Sequence, residues 1–121
     1  MNENRLPDYL PHIRQAAIDA CSFVDGMSKS DFLTDKRTQN AVVMSLIIIG
    51  EPAANVMDRH PRFAARHPEI LWRDMRGMRN RIAHGYFDID LDVVWDTTRS
   101  ALPVLLERLA LIGDDSEATD P

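Results

Sequence analysis

The segment Ala41-Val42-Val43-Met44-Ser45-Leu46-Ile47-Ile48-Ile49 constrains this chain more than any other. It lies in a stretch from Asp35 to about Asp58 that reads as one helix, and its apolar side chains fall on every face of that helix instead of one stripe. A helix of that kind has to be covered on more than one side. The chain must therefore set other helices around it, and in a domain this small the same surface points to self-association as well as to a core. Pro52 falls inside the helix, where it removes a backbone donor and should produce a kink. The apolar run is broken by Ser45 and followed by Gly50, Glu51 and Pro52, well short of the roughly 20 residues that cross a bilayer. No membrane span is expected.

Helical spacing recurs on both sides of this segment. Asp8 can cap a first helix to about Asp25, with Leu10, Ile13, Ala17, Ala20, Cys21 and Val24 on one stripe and Gly26 ending it. Ser28 or Ser30 caps a short turn around Phe32 and Leu33. Pro61 and Pro68 each stand where a new helical segment can begin. The second opens a helix from about Glu69 to His84 with a stripe of Leu71, Met75, Met78 and Ile82, and Gly85 is the natural left-handed residue beyond it. A last helix from about Asp90 to Leu111 carries Val93, Val94, Leu102, Leu105, Leu106 and Leu109, and Pro103 should bend it. No run reads as a strand. The expectation is an all-α, antiparallel bundle of four to five helices with a kinked third helix, one domain over residues 1–112, and a disordered acidic tail over 113–121.

The N-terminal MNENRLPDYLPHIRQ lacks the apolar stretch of a signal peptide, and a single cysteine, Cys21, cannot form an intramolecular disulfide. Both fit a cytoplasmic protein. The net charge of −5 argues against a protein that simply coats nucleic acid. Its distribution says more. Between Arg59 and His84, seven arginines stand against Glu69 and Asp74, so this stretch carries +5 and the remainder of the chain −10. One basic surface on an acidic body is the reading, and an arginine-rich solvated helix face is its plain alternative.

The chemistry concentrates in Arg79-Asn80-Arg81-Ile82-Ala83-His84-Gly85-Tyr86. On a helix, Asn80 and His84 share a face, so Asn80 can orient the imidazole. Arg79 and His84 stand about 140° apart around the axis. Either the turn before Gly85 unwinds, or two copies of the helix meet and complete each other's site. The residue types suit metal-free RNA cleavage. A 2′-hydroxyl must lose a proton and a 5′-oxygen must gain one, transfers that histidine performs near neutral pH for about 10²–10⁴-fold in rate. The charge building on phosphorus needs a fixed cation, and a guanidinium offers a planar fork. His84 also lies at a helix C-terminus, where the dipole favours a cation and hence a general acid. Arg73, Arg76 and Arg81 are candidate phosphate tethers, with solvated surface as the alternative.

At this motif the chain resembles the HepT-like branch of the HEPN ribonucleases, whose signature is arginine, a polar residue, a spacer, histidine, and a tyrosine two residues later. The likeness includes Asp8-Tyr9-Leu10, Phe32-Leu33, Ile49-Gly50-Glu51, His67-Pro68-Glu69-Ile70 with Trp72, Met78 to Arg81, Tyr86-Phe87 with Asp90, and Leu102-Pro103, so it covers roughly residues 6 to 110. It implies a HEPN-like bundle, a homodimer with a composite cleft, and a metal-independent RNA endonuclease without cofactor, with Arg79 and His84 catalytic and Asn80 supporting. It also implies a toxin–antitoxin pair in which a minimal nucleotidyltransferase antitoxin adds AMP to Tyr86. Pro52 departs from the alanine of many relatives, which leaves the role of Glu51 beside it open.

Two other classes compete. One is a non-catalytic helical dimer that binds a nucleotidyltransferase or a nucleotide; the other is an RNA-binding regulator using the arginine patch. A metal site is not expected, because His12, His60, His67 and His84 lack ligand spacing and Cys21 stands alone. The acidic series Asp88, Asp90, Asp92 and Asp96 reads as helix N-terminal complementation.

Overall fold

The apolar segment becomes the centre of the molecule. In the computed structural model, which describes residues 6–85 and 88–112, it forms the middle of α3, Lys36–Arg59. Around it in chain order stand α1 (Leu6–Phe23), α2 (Lys29–Leu33), α4 (Pro61–Arg66), α5 (Trp72–Gly85), α6 (Leu91–Asp96), a π-helical turn at Thr97–Ala101, and α7 (Leu102–Ile112). The described residues hold no strand. The all-α bundle is as expected, with short α4 and the π-helical turn added to it.

Helices α1 and α5 lie along α3, and α7 packs on α1. Val42, Leu46, Ile49, Ala53 and Val56 of α3 are buried with Ile13, Ala17 and Ala20 of α1 and Ile82 of α5. By length and apolar composition α3 could cross a membrane, a point the Ala41–Ile49 run alone did not suggest, yet half of its apolar window is buried inside the bundle. It serves as a core helix. Not every face is covered: Met44 and Ile48, one turn apart, are 56% and 42% exposed.

Short-range chemistry sets the boundaries. Ser28 accepts from the Asp31 amide while Asp31 accepts from the Ser28 amide, a reciprocal cap that starts α2. Asp35 caps α3 by accepting from the Thr38 amide at 3.1 Å and its hydroxyl at 2.9 Å. Asp90 does the same for α6 through the amides of Asp92 and Val93. Gly26 has φ of +78°, the left-handed turn after α1.

Several expectations change. Asp8 lies within the first turn of α1. Pro61 opens α4, but Pro68 opens no helix: α5 starts at Trp72, whose indole donates to the His67 carbonyl and pins a turn there. Gly85 is still helical, and among the described residues only Gly26 has positive φ. On α5, Trp72 replaces Leu71 on the buried side, leaving Leu71 52% exposed. The last helix divides where Pro103 should bend it. In the π-helical turn the Leu102 amide donates to the Thr97 carbonyl, and in that register Thr98's carbonyl would be served by residue 103, which has no N–H. The Cys21 thiol faces that carbonyl at 3.8 Å instead. Helix α3, by contrast, continues through the buried Pro52. The tail from Gly113 to Pro121 lies outside the described residues, as does Tyr86.

Candidate active site

Glycine decides where α5 sits. A Cβ on Gly50 would lie 2.3 Å from the Cβ of Arg79 and 2.9 Å from the Met75 carbonyl oxygen. No side chain fits there, so α3 and α5 touch backbone to side-chain base at this point. The contact sets the root of the Arg79 side chain directly over Gly50. From that root the guanidinium reaches one residue along α3, where its Nη1 donates to Glu51 Oε1 at 2.7 Å. Arg79 is 25% exposed and Glu51 57%, so the pair lies at the solvent edge of the seam. An ion pair this exposed adds only about 0–1 kcal/mol to stability. The Arg79 Nε is buried without a hydrogen-bond partner among the described residues. Farther along α3 but earlier on α5, Asp58 stands 3.9 Å from Arg76, which shows that the two helices run antiparallel.

His84 occupies a different surface. Helix α5 is continuous to Gly85, so the turn before that glycine does not unwind and Arg79 and His84 stay about 140° apart. His84 and Asn80 are both exposed, four residues apart on the outward face, which Arg73 and Gly77 share at helical spacing. Gly77 has an open surface: a Cβ there would meet only Arg81 Nη1, at 3.8 Å. The other candidate tethers diverge. Arg76 turns toward Asp58 on α3, and Arg81 lines an apolar groove of about 530 Å³ between α5 and α7, floored by Leu46 and Ile49. At the far end of that groove Arg108 donates to the Glu69 carbonyl at 2.6 Å. Tyr86, two residues after His84, lies outside the described residues. Among the described residues no group of three His, Cys, Asp or Glu could hold a metal ion.

One chain thus presents a tethered guanidinium and, around the helix from it, an exposed imidazole. Comparison with known proteins places the chain in a family. The sequence profile of the family described as Ribonuclease HepT-like matches residues 13–112. This chain belongs to the HepT-like ribonuclease family. It is 41% identical over 98 residues, 81% of this chain and 86% of the relative, to a Thermococcus cleftensis protein named probable ribonuclease HepT. It is 31% identical over 112 residues, 93% of this chain and 90% of the relative, to a Methanocaldococcus jannaschii protein provisionally named as an RNase. A Caldanaerobacter subterraneus protein named in the same provisional way is 34% identical over 101 residues, 84% of this chain and 88% of the relative. No solved structure matches. As a HepT-like ribonuclease, the chain uses Gly50 to set the motif arginine on the seam, a purpose the sequence left unassigned. The signal was there: a glycine inside an apolar helix, next to a carboxylate, is costly unless something approaches closely.

Proposed function

We propose that this HepT-like ribonuclease is a metal-independent endonuclease whose site is completed by two copies of the chain. A 2′-hydroxyl loses its proton and its oxygen bonds the adjacent phosphorus. The bond to the 5′-oxygen breaks, and that oxygen takes up a proton. The products are a 2′,3′-cyclic phosphate and a free 5′-hydroxyl. His84 moves protons, Asn80 on the same face steadies the ring, and Arg79 holds the charge that builds on the phosphoryl oxygens. The observation that carries the composite reading is the unbroken helix to Gly85, which keeps Arg79 and His84 of one chain on different faces. If the outward face of a second α5 meets the solvent edge of the seam, it brings its His84 to the phosphate that Arg79 of the first copy holds, and Gly77, where a Cβ would touch only Arg81 Nη1, leaves room on that face. Arg73, on that outward face, is the best placed of the three tethers.

The test is cleavage of total RNA by purified protein in EDTA. Wild type cuts; Arg79→Ala and His84→Ala do not. A His84→Ala protein as active as wild type overturns the assignment. Intact RNA with every form, together with tight binding to a nucleotidyltransferase, makes the chain a non-catalytic dimer.

The same reading makes the chain the toxin of a cytoplasmic toxin–antitoxin pair. The antitoxin is a nucleotidyltransferase that directs the Tyr86 oxygen onto the α-phosphorus of ATP, releasing pyrophosphate and leaving AMP as a phosphodiester. That negative charge competes with RNA for Arg79. Intact mass after co-expression rises by one or more AMP units, and Tyr86→Phe abolishes the rise. An unshifted mass replaces modification with simple occlusion.

A further inference from the structure

We propose that Glu51 is a positioning residue for RNA cleavage, fixing the Arg79 guanidinium in the direction from which it meets the substrate phosphate. The inference rests on Arg79 acting as described above and assigns the carboxylate that pairs with it among the described residues.

Three features of the seam carry it. The base of the Arg79 side chain is packed against α3, because its Cβ comes too close to Gly50 for that residue to carry a Cβ of its own. Its Nε points into the seam and finds no partner there among the described residues. Its tip is fixed by the 2.7 Å bond from Nη1 to Glu51. A long side chain with several rotatable bonds is thereby held at root and tip. A guanidinium carries five N–H donors in one rigid plane. With Nε buried and one hydrogen of Nη1 on Glu51, the donors that remain are those on Nη1 and Nη2, at the tip of a side chain that is 25% exposed. A phosphate arriving from solvent then finds donors already aimed, without having to order the side chain first.

The pair is also too exposed to be explained by stability, with Glu51 more than half open to water. Nor can it be a simple attraction for RNA, since a carboxylate repels phosphate. Glu51 lowers the net charge of the site yet sits on its cation, an arrangement that makes sense when direction counts for more than field strength. Arg76, one turn earlier on α5, has its own carboxylate in Asp58, at a longer 3.9 Å and without a glycine at its root. Of these two pairs, the Arg79 pair has both anchors.

The experiment measures steady-state cleavage of a fluorescent oligoribonucleotide in EDTA by the full-length protein, with thermal melts alongside. Glu51→Ala is expected to lower kcat by about 10-fold or more, since an ångström of misplacement can cost about 10²-fold. KM stays level or falls, because a negative charge has been removed from an RNA site. Glu51→Gln, whose amide oxygen still accepts from Nη1, recovers most of the loss. In the Arg79→Ala background Glu51→Ala has no further effect, since residues acting through one another are not additive.

Unchanged kcat in Glu51→Ala, equal loss in the Ala and Gln variants, or a loss matched by a drop in melting temperature overturns the proposal. If wild type cuts, Arg79→Ala does not, and Glu51→Ala is unimpaired, this inference alone fails. If wild type leaves the RNA intact, it falls together with the catalytic assignment.

Discussion

The two faces of α5 follow opposite rules. Toward α3 the helix is fitted to its neighbour: Gly50 admits the base of Arg79, Glu51 takes its tip, and Ile82 is buried one turn on. Away from α3 the same helix carries Gly77, where a Cβ would touch only Arg81 Nη1, and Asn80 and His84 in solvent. Both faces carry a residue of the motif Arg79 to Tyr86, and among the described residues Arg79 has an ion-pair partner while His84 stands in solvent. The contrast teaches that a motif read along a sequence can be split by helical geometry between a face packed on a neighbouring helix and a face open to solvent.

The sharpest way to break this contrast is subunit mixing. If each site takes Arg79 from one copy and His84 from the other, two dead proteins, Arg79→Ala and His84→Ala, regain activity when unfolded and refolded together, because each mixed dimer holds one intact site. Cleavage returning from background to about a quarter of wild type or more is expected, against the 10²-fold or greater loss of each alone. No recovery means that both residues of one site come from the same chain.

The glycines provide the next two measurements. Gly50→Ala forces a Cβ to within 2.3 Å of Arg79 Cβ, and overpacking of this kind costs about 1–3 kcal/mol. A lower denaturation midpoint together with reduced cleavage is the expected result. Gly77→Ala should act in the opposite direction on the isolated chain, stabilising it by about 1 kcal/mol through helix propensity alone. If a second α5 crosses there, the same change weakens association, seen as a shift toward monomer on dilution in sedimentation. Equal behaviour of the two variants would erase the distinction between the faces.

The smallest expected effect lies at the start of α3, which holds the fitted face in place. Hydrogen bonds from the Thr38 amide first, then the Thr38 hydroxyl, hold the Asp35 carboxyl below its usual range. A carboxylate whose folded value is depressed stabilises the fold above its unfolded value and loses that contribution as pH falls through the folded one. Melts at a series of pH values should therefore separate wild type from Asp35→Ala near neutrality and bring them together in acid.

Much of this was legible in the residues. Apolar spacing marked the long helices, and Ser28 or Ser30, Asp35 and Asp90 marked where helices begin, because caps act over three residues and depend on nothing distant. Pro68 misled for a reason of the same scale: proline permits a helix start without compelling one, and the Trp72 indole on the His67 carbonyl held the chain in a turn. The strain around Pro103 was foreseeable, but its resolution as a π-helical turn at Thr97–Ala101 was not, since that depends on how α7 seats on α1. The candidate site residues Arg79, Asn80 and His84 were picked out from their spacing and the family resemblance. What Gly50 and Glu51 do for Arg79 could not be read, because they are nearly thirty residues away and meet it only across the seam.

By itself, then, the sequence determined a helical chain with a buried central helix and an arginine and a histidine five residues apart. Periodicity and capping are local, and one helix's geometry follows from the 3.6-residue turn. Tertiary structure alone decided which side of α5 is fitted, which is left open, and what holds the guanidinium, because those depend on where a second helix can come close. That approach is set by a missing side chain at Gly50, a feature whose meaning exists only once α3 and α5 are side by side.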